Sequence, residues 1–421
     1  MSVILTIIIA GLIVAALYIG LYPIYNRASI NASYEDFHNE SKYKEHFAKL
    51  SQKYESMREQ RQPVSTQLGS MADAEQCFVN FYGLGCRFTG YLGPFKEGYF
   101  DPQNAVKFAC NAGCRVFVLE IDYVDSCEGT QQYYPQIVVR DINGRLRIKP
   151  NSNVPLCKSA QNDNIKDVCQ AIEDNAFNVT SDPVVIVLFF LRQPPGSYKS
   201  QTVLEYYSRV AKALSPFKDR LITNILEGGS FFRQKQEGRL LINKITDYNN
   251  KVLIFSNANT NGFRENNTFD TMSDLDFLVN LRLNYSQTQL GCTDSLAQGN
   301  YGILETVQDY LIIPSDRVED VANDTKLRWT ICLQKDPSQP VSQADYNKVT
   351  QTFGIHCIPV QLFSDTEDFI FGNNLFNTAS FIPKPEPLRY VKPPIVIPGE
   401  PNPNTNANQG MLRSPTIGPG S

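Results

Sequence analysis

At 421 residues and 42% hydrophobic content the chain can bury a sizeable core, and length alone permits two or three domains. A net charge of −4, with Lys and Arg scattered along the chain, gives no electrostatic support for a nucleic-acid partner. Ten cysteines without a single C-x-x-C pair argue against a zinc ribbon and leave disulfides open.

The first element is an apolar run, VILTIIIAGLIVAALYIGLY, from Val3 to Tyr22. A helix of about twenty such residues spans a hydrocarbon core. Residues 1–25 therefore read as an uncleaved transmembrane anchor, with a cleaved signal peptide as the competing reading. Tyr18, Tyr22 and Tyr25 suit the interfacial belt, and Arg27, Lys42 and Lys44 follow it, which places the bulk of the chain on the cytosolic side. Residues 26–69 read as a juxtamembrane helix and linker. In that helix Tyr43, Phe47, Leu50, Tyr54 and Met57 alternate by four and three. Such a stripe packs either on the chain's own body or on a protein partner.

The main body is expected over residues 70–390. Cys77 to Gly83 reads as its first strand, and Asp101 to Ala112 as its first helix. Next comes GCRVFVLEIDYVDS, Gly113 to Ser126, a β-branched run that ends in Glu120, Asp122 and Asp125. Glu120 and Asp122 are two apart and share one face of a strand. Hard oxygen ligands in that arrangement suit Ca²⁺ or Mg²⁺, although Arg115 or Arg140 can equally hold them. Ile165 to Phe177 and Thr202 to Leu214 read as helices, residues 260–328 as an irregular insertion, and Trp329 to Leu333 as the seventh strand. Cys110 and Cys114, one helical turn apart, read as core. Residues 391–421 are a Pro/Asn-rich extended tail that cannot build a core of its own.

The 113–126 stretch resembles the X region of eukaryotic phosphoinositide-specific phospholipase C (PLC), in which a G-C/A-R-x-(V/L)-E-L-D-x-W-D segment forms the second strand of a (β/α)8 TIM-type barrel. DNAFNVTSDPVVIVLFFL, from Asp174, resembles that family's helix end, turn and fourth strand. KVLIFS, from Lys251, resembles the next strand. The segment from Phe353 to Tyr390 resembles the closing strand and exit of the Y region. The resemblance implies an α/β PLC-like phosphodiesterase barrel with calcium bound by carboxylates, and hydrolysis by two histidines.

The same correspondence leaves the catalytic positions degenerate. Cys86 and Arg87 stand where the family has His and Asn, Phe189 replaces the third metal carboxylate, and Phe255 and Asn257 replace the lysines that grip phosphate. The three histidines are His38, His46 and His356, and none falls at a catalytic position. A positioned acid or base contributes about 10² to 10⁴ each, so turnover by that mechanism is expected to be negligible. The expectation is a pseudoenzyme with no catalytic residue, no cofactor beyond a vestigial Ca²⁺ at Glu120, Asp122 and Asp125, and a structural or interaction role. An active metal-dependent phosphodiesterase using Cys86, Arg87 or Asp141 is the alternative. Six N-x-S/T sites and the cysteines keep a secreted sugar-binding ectodomain as a third reading. The Asn-rich composition, the anchor and a barrel stripped of histidines look like virion proteins of large DNA viruses. That likeness implies a minor capsid protein linking an icosahedral shell to an internal membrane, with capsid proteins as partners through the stripe and the tail.

Overall fold

The computed structural model describes residues 40–92, 99–123, 132–140, 142–143, 146–148, 164–222, 225–226, 229–230, 234, 238–266, 268–285, 301–361 and 376–392. Residues 1–390 form one compact unit and 391–421 a second. The apolar run from Val3, Asp125, Asp141 and nearly all of the Pro/Asn-rich tail lie outside the described residues. Among the described residues no helix is long and apolar enough to cross a membrane.

The core element is a curled parallel sheet whose strands follow one another in chain order. These are β1 Gly85–Cys86, β2 Val116–Asp122, β3 Val184–Phe190, β4 Val252–Ser256, β5 Leu281–Tyr285, β6 Tyr301–Thr306 and β7 Thr330–Leu333. Each pairs in parallel with the next. Residues 357–360 then bridge both edges, Ile331 to Cys357 on one side and Cys86 to Val360 on the other. The Val360 amide donates to the Gly85 carbonyl at 3.0 Å, and the Arg87 amide donates to the Val360 carbonyl at 3.0 Å. The sheet edges thus meet through this eighth segment, which leaves no open edge there for association.

Alternation along the strands sorts side chains into two cores. Val116 and Val118 of β2, Val185 and Val187 of β3, Leu253 and Phe255 of β4 and Ile331 of β7 fill the interior. Phe117, Leu119 and Ile121, with Ile186, Leu188 and Ile254, face the helices. Those helices are α1 Glu40–Glu55, α2 Pro102–Ala112, α3 Asn164–Ala176, α4 Gln201–Ala213, α5 Val318–Thr325 and α6 Gln343–Phe353. Their ends follow local rules. The Asp101 carboxylate accepts from the Asn104 amide ahead of Pro102, and Gly113, at φ 98°, closes α2 in the left-handed region. Ser200 and Ser342 cap α4 and α6 in the same way.

Several expectations need correction. Phe78–Asn80 is a 3-10 turn, and Phe81–Gly83 pairs antiparallel with Phe381–Pro383 outside the curled sheet, so β1 begins only at Gly85. No parallel strand intervenes between β2 and the 184–190 strand; Gln136–Ile137 pairs antiparallel with the end of β2 instead. The strand expected as fourth is therefore third. The region 260–328 carries β5 and β6, which escaped notice because their apolar runs are short and broken by Arg282, Asn284 and Gly302. Of the segment expected as a juxtamembrane helix and linker, the described residues 40–69 take part in the barrel's own packing. Leu50 and Tyr54 are buried, and the Phe47 and Tyr54 rings lie 5.5 and 6.3 Å from that of Phe108 on α2. Val64, within the expected linker, is buried, and its amide donates to Asp182 at 2.7 Å.

Candidate functional site

Because Glu120 and Asp122 continue the inward face of Val116 and Val118, β2 delivers both carboxylates into the mouth of the barrel at the C-terminal ends of its strands. The opening is a cleft of about 440 Å³, lined also by Arg87, Arg140, Phe189, Arg192, Tyr285, Thr306, Gln334 and Lys335. That volume suits a small organic ligand. Phe189 lies opposite Glu120 in the sheet register and meets the Tyr285 ring edge-on at 5.1 Å. Burial pushes the Tyr285 phenol up to about 12, so it presents an O–H near neutrality.

Both carboxylates already have cationic partners. Arg87 Nε lies 2.5 Å from Glu120 Oε1, and its Nη1 donates to the Gln334 carbonyl at 2.8 Å. Asp122 receives two guanidinium groups, Arg140 Nε at 2.5 Å and Arg192 Nε at 2.9 Å, and also accepts from the Tyr123 amide at 2.8 Å. The Arg192 guanidinium stacks 4.3 Å from the centre of the Tyr123 ring. The geometry agrees with Arg140 as a holder of these acids but not Arg115. The latter is buried elsewhere and donates to Ala176 and Thr180.

The two described carboxylates of the expected metal set sit against guanidinium groups, and Phe189 lies opposite Glu120 in the sheet register. No group of three or more His, Cys, Asp or Glu side chains is placed to share a metal among the described residues. Asp125 is not among them.

The remaining expected positions serve the fold. Cys86 is buried, and Phe255 lies within the barrel with its ring 4.9 Å from that of Trp329. Neither lines the cleft. The Asn257 amide accepts from the Phe190 N–H and donates to the Phe190 carbonyl at 2.8 and 2.9 Å, so it staples the end of β3. His356 is fully enclosed between the Thr330 amide and the Val79 carbonyl, and burial holds it well below an ordinary histidine. Of the stripe residues, Phe47, Leu50, Tyr54 and Met57 pack into the chain's own core; the side chain of Tyr43 lies outside the described residues. Cys110 and Cys114 are buried, in line with their reading as core, and both are free thiols.

Sequence reasoning missed Arg192, Tyr285 and Lys335. Their only signal is position: Arg192 and Lys335 each follow a strand by two residues, and Tyr285 ends one. In a barrel that places them on the functional rim.

No family model and no curated protein matches this chain. Among solved structures, it resembles PLC21 from S. officinalis with a TM-score of 0.51 and 15% identity, over 76% of this chain and 39% of that one. PLC21 from L. pealei gives a TM-score of 0.49 and 14% identity over the same shares. A calcium-dependent phosphoinositol-specific phospholipase C from a Pseudomonas species gives 0.43 and 13%, over 74% of this chain and 97% of that one. The likeness to the S. officinalis protein is one of fold: a curled parallel sheet with helices of the PLC-like barrel kind. The chain matches well under half of that protein's length.

Proposed function

We propose that this chain is a PLC-like barrel that has exchanged hydrolysis for binding, acting as a membrane-anchored structural or interaction module. One observation carries the reading: Glu120 and Asp122, the acids that metal-assisted hydrolysis would require, are bound by Arg87, Arg140 and Arg192. The two lost proton carriers alone would cost roughly 10⁴ to 10⁸ in rate, and the lost metal would add to that. The anchor is assigned to the apolar run Val3 to Tyr22, and the tail from 391 is the second attachment. The setting we assign is the space between a membrane and a protein shell, as in a minor capsid protein of a large DNA virus. Its support is the Asn-rich composition and the two unlike ends of the chain.

The test is hydrolysis of phosphatidylinositol and its bisphosphate by the full chain with and without Ca²⁺, beside Asp122→Ala. No turnover by a folded protein is the expected result. Calcium-dependent turnover that disappears in Asp122→Ala would restore the phosphodiesterase. Anchoring is read separately, by whether deletion of residues 3–22 releases the chain from membranes.

A further inference from the structure

The charges around the cleft are arranged by depth. Its described lining holds four cations, Arg87, Arg140, Arg192 and Lys335, against two anions, Glu120 and Asp122. The anions lie deepest, with side chains 3% and 0% exposed, whereas Arg192 keeps 37% exposure and Lys335 is exposed. An entering ligand therefore meets cations first. Phe189, Leu191, Leu333 and Pro337 form low-dielectric walls that concentrate this field. The neutral Tyr285 phenol and the Thr306 hydroxyl supply further polar groups on the same lining.

We propose that this cleft binds a phosphomonoester dianion without a metal ion. The inference rests on the non-catalytic reading above and names the ligand class of that site. Among the described lining residues the surplus of two positive charges matches a phosphomonoester, which carries about −1.5 to −2 near neutral pH. A phosphodiester carries only one negative charge and would leave part of the surplus uncompensated. Guanidinium groups suit phosphate oxygens because they offer paired N–H donors in a fixed plane. Lys335 adds a point charge at the entrance.

The phosphomonoester has two possible sources, a soluble organic phosphate or a lipid headgroup. The full chain in detergent and EDTA is titrated calorimetrically with glycerol phosphate, with dimethyl phosphate as the diester, and with water-soluble short-chain phosphatidic acid beside short-chain phosphatidylcholine. Glycerol phosphate or phosphatidic acid should bind at least about tenfold more tightly than dimethyl phosphate, weaken with added salt and ignore Ca²⁺. Lys335→Glu, at an exposed position that leaves the buried ion pairs intact, should weaken binding by about tenfold or more. Tighter binding of phosphatidic acid assigns the lipid source, and equal binding the soluble one. The proposal is overturned by a folded chain that binds neither phosphomonoester, by binding that needs Ca²⁺, or by binding that Lys335→Glu leaves unchanged. Absence of binding with no hydrolysis sinks this inference alone; hydrolysis sinks the underlying reading whatever binds.

Discussion

Arg87 and Glu120 are 7% and 3% exposed, so water screens their ion pair little. Removing one partner of such a pair leaves the other buried and unpaired. Arg87→Ala should therefore lower stability by about 3–5 kcal/mol in urea unfolding, whereas Arg87→Met combined with Glu120→Leu should recover most of that loss. A second residue carries a pH dependence. Lys384 is fully buried, its Nζ donates to the Thr325 carbonyl at 3.0 Å, and burial, with Lys326 contributing, holds its pKa well below that of an ordinary lysine. Between that lowered value and 10.5 the unfolded chain binds the extra proton, so stability rises with pH across this window. Below it both states are charged and the full penalty applies. Lys384→Met should remove a slope of up to about 1.4 kcal/mol per pH unit, read from unfolding midpoints across alkaline pH.

At the scale of elements, α1 owes its position to packing more than to propensity. Leu50 and Tyr54 bury themselves against α2, while Lys44, Glu45 and Lys49 stay in water. Leu50→Ala or Tyr54→Ala should cost about 2–5 kcal/mol and expose the 40–55 helix to limited proteolysis. An intact helix in these variants would return the stripe to an external partner. The closing segment is the other sensitive element. A Cβ added at Gly85 would lie 2.4 Å from Cys357 Sγ and 3.1 Å from Pro359 Cβ. Gly85→Ala should therefore push 357–360 away from β1 and cost about 1–3 kcal/mol, visible as faster amide exchange at Arg87 and Val360.

For the molecule as a whole, the folded unit begins before the sequence reading placed it. Val64 is buried among the core residues at one end of the barrel, and α1 covers Phe108, so residues 40–69 are structural parts of the barrel. A fragment spanning 40–390 should unfold cooperatively. One spanning 62–390 exposes the apolar face of α2 and should bind a hydrophobic dye such as ANS or self-associate. Equal behaviour of the two fragments in dye binding and gel filtration would contradict that assignment.

Local chemistry determined much of this protein from sequence alone. The β-branched run of β2 and the Asp101 and Gly113 boundaries of α2 are written in neighbouring residues. Period-two spacing even told that Glu120 and Asp122 share a face. Of their partners only Arg140 was among the candidates, beside Arg115, which lies elsewhere. Arg87 follows β1, Arg140 belongs to the hairpin strand beyond β2, and Arg192 follows β3; only curling of the sheet brings the three onto two carboxylates. The same holds for β1 and the 357–360 segment, whose brief bridges form only where distant chain ends meet. A strand or helix announces itself through its own period, but the partner of a charge and the closure of a sheet are set by contacts far apart in the chain, and only the tertiary structure decides them.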